Sequence, residues 1–354
     1  LCYVAEGENS AKKITMKLRC VSCIGIVVCA IVFAACTSGG AKVRVLKLAH
    51  GLDQTHSLHK GMVYMADRLL EISGGKMRVD IYPGAQLGSE TQNIELVQIG
   101  SLAMAKVSTA SLEGFVEEYK VFGIPYIFRS KAHLFRVLEG EVGKELQTST
   151  EKYLFRGLGY FDAGARSFYT MKKPVLQPED LRGMKIRVMK SPVAVAMMQA
   201  FGGSATPISW PELYTALQSG VVDGAENNLP SFVTSHHHEI SKYFTVNEHT
   251  MLPDVLIISK VVWDKLSRQE QQWLRQAVGE AVVYQRELWA LQEKEALETA
   301  RKNGVEIYFP DKKPFVEKVA SMREMFRDNE RVYRMIQRID AISDTVVLQT
   351  ENKK

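Results

Sequence analysis

The chain has 354 residues, of which 46% are hydrophobic and 24% charged. That is length enough for two domains with cores of their own, and a composition that excludes disorder, collagen and low-complexity repeats as main themes. The 45 basic and 40 acidic residues give a net charge of +5, and the basic residues are scattered rather than striped, which excludes a nucleic-acid footprint.

All five cysteines, Cys2, Cys20, Cys23, Cys29 and Cys36, fall in the first 36 residues, so no disulfide is expected within the remainder. Cys20 and Cys23 have CxxC spacing, but they lie beside an apolar run with no strand-and-helix redox context and no second metal-binding pair. From Met16 the order is instead that of an export signal: Lys17 and Arg19 form a basic start, Val21 to Ala35 an apolar stretch, and FAAC at 33–36 a small-residue cleavage site. The apolar run is shorter than the roughly 20 residues of a membrane-spanning helix. FAAC resembles a bacterial lipobox, with Phe33 where leucine is more usual, which makes Cys36 the expected lipidated first residue. Residues 1–15 then read as sequence upstream of the true start, and a plain cleaved signal is the alternative.

Beyond the polar tether, VRVLKLAH (43–50) reads as a buried strand, followed by the loop GLDQTHS and a helix from Leu58 to Ile72 that stops at Gly74 and Gly75. KMRVDIYP (76–83) alternates as a strand, Ser89 caps a helix running to Ile99, and LAMAKVS (102–108) is a third strand. This β-α-β-α-β order predicts an open α/β sheet with ligands at the carboxyl ends of its strands. The theme repeats: RGLGYFDAG (156–164) and MKIRVM (184–189) read as strands, Pro192–Phe201 and Trp210–Ser219 as helices, VVDGAE as a short strand or turn, and VLIISK (255–260) as a buried strand. A capping box of Ser267 and Glu270 opens an amphipathic helix to Lys302, stopped by Asn303 and Gly304. At 1.5 Å per residue it is roughly 54 Å long, enough to span two lobes.

Nucleotide-binding, P-loop, nucleophile-elbow and HExxH patterns are all absent from the sequence. His236, His237 and His238, followed by Glu239, are read as a solvated helix face, because consecutive helical residues point about 100° apart and cannot share one metal. His50, His56 and His59 suit no standard zinc spacing and are read as loop hydrogen-bonding residues, and no metal or cofactor is expected. Trp263, Trp273 and Trp289 are read as packing around the long helix. In MKIRVM the strand pattern gives Ile186 and Val188 to the core and turns Lys185, Arg187 and Met189 the other way. Pattern alone leaves open whether Arg187 meets a ligand or water.

YPGAQLGSE, GIPYIF, GARSFYT, LRGMKIRVM, SATPISWPELYTALQSGVVDGAENN and the long helix after WDKLS together resemble the solute-binding proteins of TRAP (tripartite ATP-independent periplasmic) transporters, over about residues 44–340. The resemblance implies an α/β fold of periplasmic binding-protein type, with two lobes, hinge strands and a long helix across both. It divides the chain into upstream sequence and signal peptide (1–35), a lipid-anchored tether (36–42), lobe I (43–163 and 251–292) and lobe II (164–250 and 293–348). It implies that Arg187 pairs with a ligand carboxylate, that Arg166 is a second arginine beside it, that Asn227 hydrogen-bonds the ligand, and that Trp210 lines the pocket. Asn228, Glu90, Asp53, Gln54 and His56 are further candidates from the loops. Glu90 is equally readable as a first-turn carboxylate at a positive helix end, and Asp53, Gln54 and His56 as ordinary polar loop.

The implied function is capture of a small organic acid by domain closure and delivery to a membrane permease, by an exported, lipid-anchored, monomeric periplasmic protein that is not an enzyme. A sugar acid such as glucuronate or galacturonate is the expected ligand, because the loops expected opposite the two arginines carry Asp53, Gln54, His56, Glu90 and Gln92 and no cation for a second carboxylate. A C4-dicarboxylate is the alternative ligand. A secreted sugar-acid lyase or hydrolase, or a ligand-sensing module, is the alternative class.

Overall fold

The computed structural model describes residues 43–343, so the signal segment, Cys36 and its tether lie outside the described residues. Among the described residues no helix is long and apolar enough to cross a membrane.

Two sheets carry the fold. The first has five strands in the order β2-β1-β3-β10-β4, and comprises β1 (Arg44–Ala49), β2 (Met77–Tyr82), β3 (Met104–Ser108), β10 (Asp254–Ser259) and β4 (Phe155–Phe161). The second has six in the order β11-β9-β5-β8-β6-β7, formed by β11 (Glu306–Tyr308), β9 (Tyr243–Thr250), β5 (Arg166–Thr170), β8 (Gly224–Asn227), β6 (Lys185–Val188) and β7 (Ser204–Pro207). β1 and β3 are parallel, whereas β10 runs antiparallel to both β3 and β4. In the second sheet β6 is parallel to β7 and β8, and β5 is antiparallel to β8 and β9. Every residue of β3, β5, β8 and β10 is buried, as expected of strands covered on both faces.

The chain passes between the sheets at 162–165, from β4 to β5, and at 251–253, from β9 to β10. The 156–164 segment, read as one strand, therefore ends at Phe161, and β5 and β9 are strands that the sequence reading did not separate. The helices Lys131–Glu139 and Glu141–Ser149 fill the segment between β3 and β4 that it leaves unassigned.

The long helix Arg268–Lys302 has 35 residues and the Ser267–Glu270 capping box, hence a length of about 52 Å. It buries Leu274, Ala277, Val278, Ala281 and Trp289 in the core of the first sheet and Ala300 in a core of the second, so it does span both. The terminal helix Glu330–Ala341 repeats apolar residues at Val332, Met335, Ile336 and Ile339 and buries them with Phe122, Leu134 and Leu146 against the first sheet. It therefore sits with the first sheet, whereas the sequence division assigns 293–348 to lobe II. Helical period shows which face is buried and not which neighbour covers it.

Candidate functional site

A cleft lies between the two sheets and is partly open to solvent. Arg166, Arg187, Trp210, Asn227 and Asn228 line it from the second sheet and its connections, and Glu90, Lys106, Ser108 and Asp254 from the first.

Arg187 stands in β6 between Ile186 and Val188, both fully buried, and is itself only 2% exposed. Its Nε donates to the Ile208 carbonyl at 2.8 Å and its guanidinium lies over the Trp210 ring at 5.7 Å. Its Nη1 is buried with no hydrogen-bond partner, and among the described residues no carboxylate forms an ion pair with it. Burial lowers its pKa, the neighbouring Arg166 charge acting in the same direction. A buried, unpaired guanidinium is costly, and an anion would relieve that cost.

Arg166 differs, although the resemblance treats it as a second ligand arginine. Its Nε and Nη2 form a fork on the Glu226 carboxylate at 2.5 and 2.9 Å, a second Nη2 bond reaches the Glu226 carbonyl, and Nη1 donates to Asn227 Oδ1 at 2.8 Å. Its charge is thus neutralised internally. Burial pushes the Glu226 carboxyl up, but Arg166 and His249 outweigh it and hold the pKa at about 2. Asn227 Oδ1 also accepts from the Asn228 backbone N–H at 2.8 Å, which leaves the Asn227 amide N–H groups as the donors available to a ligand. Asn228 caps the helix Leu229–Thr234 through Ser231 N–H.

On the opposite wall Lys106, absent from the sequence candidates, donates to Asp254 at 2.9 Å and lies 3.5 Å from Glu90. Burial pulls the Lys106 ammonium down, but the two carboxylates outweigh it and raise its pKa. Burial raises Asp254 in turn, with Glu90 adding to the effect and Lys106 opposing it. The expectation that this wall carries no cation is thus corrected. Its lysine, however, faces two carboxylates, so the wall remains net negative. Glu90 is both a first-turn residue and a cleft residue: it follows the Ser89 cap and accepts from Ser108 N–H and Ser111 Oγ–H.

Three loop candidates do not reach the cleft lining. Asp53 is exposed and turns back to accept from Thr55 N–H and Oγ1–H, and Gln54 is exposed. His56 is buried behind the wall, where its Nδ1 accepts from Leu58 N–H, its Nε2 meets Ser231 Oγ at 3.2 Å and its ring packs on Trp289. His50 and His59 hydrogen-bond as expected, but only His50 lies in a loop, since His59 belongs to the helix Ser57–Ile72. His50 Nδ1 accepts from Leu52 N–H, which leaves Nε2 to donate to His59 Nδ1 at 3.0 Å. The solvated-face reading of 236–238 is corrected, since His237 and His238 are buried and only His236 is exposed.

Comparison with known proteins adds family to geometry. Residues 48–329 match the family model described as bacterial extracellular solute-binding protein, family 7. An uncharacterised Salmonella typhimurium protein, YiiZ, is 35% identical over 83% of this chain and 90% of its own. The 2,3-diketo-L-gulonate-binding periplasmic protein YiaO of Escherichia coli is 28% identical over 83% of this chain and 90% of its own. A TRAP periplasmic solute-binding protein from Xanthobacter autotrophicus, solved with bound β-D-galacturonate, superposes with a TM-score of 0.82 at 37% identity, covering 84% of this chain and all of that one. One from Anaerococcus prevotii, solved with D-glucuronate, gives a TM-score of 0.82 at 35% identity over 84% of this chain and 97% of that one. The chain belongs to bacterial extracellular solute-binding protein family 7, the two-lobe binding proteins of TRAP transporters.

Proposed function

We propose that this protein captures a monocarboxylic sugar acid, a hexuronate such as D-glucuronate or D-galacturonate, by closing its two lobes, and delivers it to a TRAP-type permease without covalent chemistry. The observation that carries the reading is the Arg187 guanidinium: buried, unpaired at Nη1 and rigidly held by the Ile208 carbonyl and the Trp210 ring. A planar fork fixed in that way matches both oxygens of a carboxylate with little entropy left to lose. Closure would exclude water and strengthen the pair. Asn227 supplies donors beside it. The facing group of Lys106, Asp254 and Glu90 offers both donors and acceptors to hydroxyl groups, while its excess negative charge opposes a second carboxylate. Uronates bound to similar proteins support the choice.

The presence of Lys106 favours a C4-dicarboxylate, as does the similarity to the C4-dicarboxylate-binding periplasmic protein of Rhodobacter capsulatus. Calorimetry with D-glucuronate, D-galacturonate, succinate and malate separates the two: tight dicarboxylate binding with no uronate response rejects the ordering. Recovery of the bound acid unchanged after long incubation distinguishes a binding protein from a lyase or hydrolase. The same reading takes the protein as a periplasmic monomer tethered through a lipid on Cys36. Intact-mass measurement of the product made in bacteria should find an acylated cysteine that Cys36→Ser abolishes.

A further inference from the structure

The segment 234–242 departs from the helix that its sequence suggests. His236 has φ +59° and ψ 15°, in the left-handed region, which a residue with a Cβ enters only at a cost and which is worth a functional question where it occurs. The turn it makes sorts the three histidines. His237 goes inward, its Nδ1 2.9 Å from the Tyr169 hydroxyl and its ring 5.1 Å from that of Trp210. His236 and His238 are brought face to face instead, with ring centroids 5.9 Å apart and planes 29° apart. Glu239 closes the group, its Oε1 3.0 Å from His236 Nδ1.

We propose that His236, His238 and Glu239 form a binding site for a late first-row divalent metal ion, with Zn2+ as the probe. One candidate ligand atom from each of the three lies within 4.8 Å of the others. A tetrahedral ion with bonds of ~2.0–2.2 Å needs its ligand atoms ~3.4 Å apart, a distance that side-chain rotation can close. Two imidazoles and one carboxylate suit zinc, nickel or copper far better than magnesium or calcium. His238 is 6% exposed and its Nδ1 is buried without a hydrogen-bond partner. Glu239 is oriented from its other side by the Tyr214 hydroxyl, which donates to Oε2 at 3.1 Å, the kind of outer support that metal carboxylates use. The nearby Lys242 ammonium is engaged by the carbonyl oxygens of His238 and Asn303. A bound ion would pin the segment whose middle residue, His237, backs the Trp210 wall of the cleft.

The test is Zn2+ titration of the untagged chain against a chromophoric chelator, with His236→Gly and Glu239→Gln beside the wild type. His236→Gly removes one ligand while placing in the left-handed position the residue that adopts it without cost, so this variant folds at least as well as the wild type. Glu239→Gln keeps an acceptor for Tyr214. One equivalent of Zn2+ bound with low-micromolar affinity, weakened at least about tenfold in each variant, is the expected result. Absence of stoichiometric binding by the wild type, or equal affinity in wild type and variants, overturns the site.

Discussion

Gln285 grips Asp162 by both ends of its amide: Oε1 accepts from the Asp162 N–H at 3.0 Å and Nε2 donates to the Asp162 carbonyl at 2.9 Å. Gln285 belongs to the long helix and is fully buried; Asp162 is the first residue of the 162–165 passage between the sheets. The grip is close because Gly61 leaves room for Gln285, where an added Cβ would come within 3.0 Å of its side chain. Two residues on, Gly164 takes φ +59° with Trp289 only 2.8 Å from where a Cβ would stand. The long helix therefore holds one passage between the sheets by its backbone and not only by apolar contact.

Gln285→Leu keeps the volume and strands both backbone groups of Asp162 in a dry site. Each unsatisfied group costs about 1–3 kcal/mol. Urea unfolding should show a loss of more than about 2 kcal/mol, and a loss under about 0.5 kcal/mol would mean that other partners replace the clamp.

The two arginines of the cleft should respond in opposite ways to the same change. Arg166→Met leaves the buried Glu226 carboxylate without its fork, a loss of about 3–5 kcal/mol. Arg187→Met removes a buried cation that no carboxylate balances, so the ligand-free protein should be as stable as the wild type or more so. The ligand response is reversed: D-glucuronate should no longer raise the melting temperature of Arg187→Met, nor of Arg187→Lys, which keeps the charge without the planar fork. Thermal melts with and without the sugar acid read both halves, and a destabilised Arg187→Met protein that still binds would refute the assignment.

Buried titrating groups set a pH window for stability. Glu113, on the first-sheet side, accepts from Ser191 Oγ–H at 2.6 Å and from Val193 N–H at the start of the helix Pro192–Phe201, which packs with the second sheet. Burial pushes its pKa up to about 8. The unfolded chain releases this proton near pH 4.5 and the folded chain only near 8, so the stability it contributes is complete below 4.5 and lost as pH rises through 8. Burial lowers His50 to about 2 and His56 and His237 to about 3. Their contribution is present above 6.5 and is lost as pH falls towards those values. Glu113→Gln, fixed in the neutral form, should flatten the loss between pH 6.5 and 8 and steepen the rise between 4.5 and 6.5, where the histidines then act unopposed. Melting temperatures from pH 4 to 9 check it, and an unchanged alkaline slope would sink the idea.

How far the site could be read from the sequence depends on what each residue type has to do. Arg187 carried a local signal, a charge between two β-branched core residues, and the surrounding motifs supplied its meaning. Lys106 carried the same kind of signal and was passed over. In MAKVS it interrupts a strand that is buried at every position, and a lysine there requires carboxylate partners; Asp254, in the neighbouring β10, is one of them. Asp53 and Gln54 were candidates because loops after strands gather ligands, but an aspartate can satisfy itself on its own turn, as Asp53 does on Thr55. The fate of 236–238 was invisible because it turns on one left-handed residue, which no helical periodicity encodes.

Discrimination between acids should reside in the wall opposite Arg187. Lys106 brings one positive charge there, and Asp254 and Glu90 bring two carboxylates. A ligand with one carboxylate on Arg187 and hydroxyl groups at its far end meets acceptors; one with two carboxylates meets repulsion. Glu90→Gln keeps an oxygen for Ser108 N–H and removes one negative charge, so it should raise succinate and malate affinity relative to D-galacturonate. One charge acting over ~10 Å at an effective dielectric near 20 is worth about 1.7 kcal/mol, a change of more than tenfold in the affinity ratio. Lys106→Met should act in the opposite direction, because it leaves two carboxylates facing each other with no cation between them. Parallel calorimetry of wild type, Glu90→Gln and Lys106→Met with a uronate and a dicarboxylate measures the ratio directly. If the ratio stays constant across the three proteins, the charge of this wall does not select the ligand.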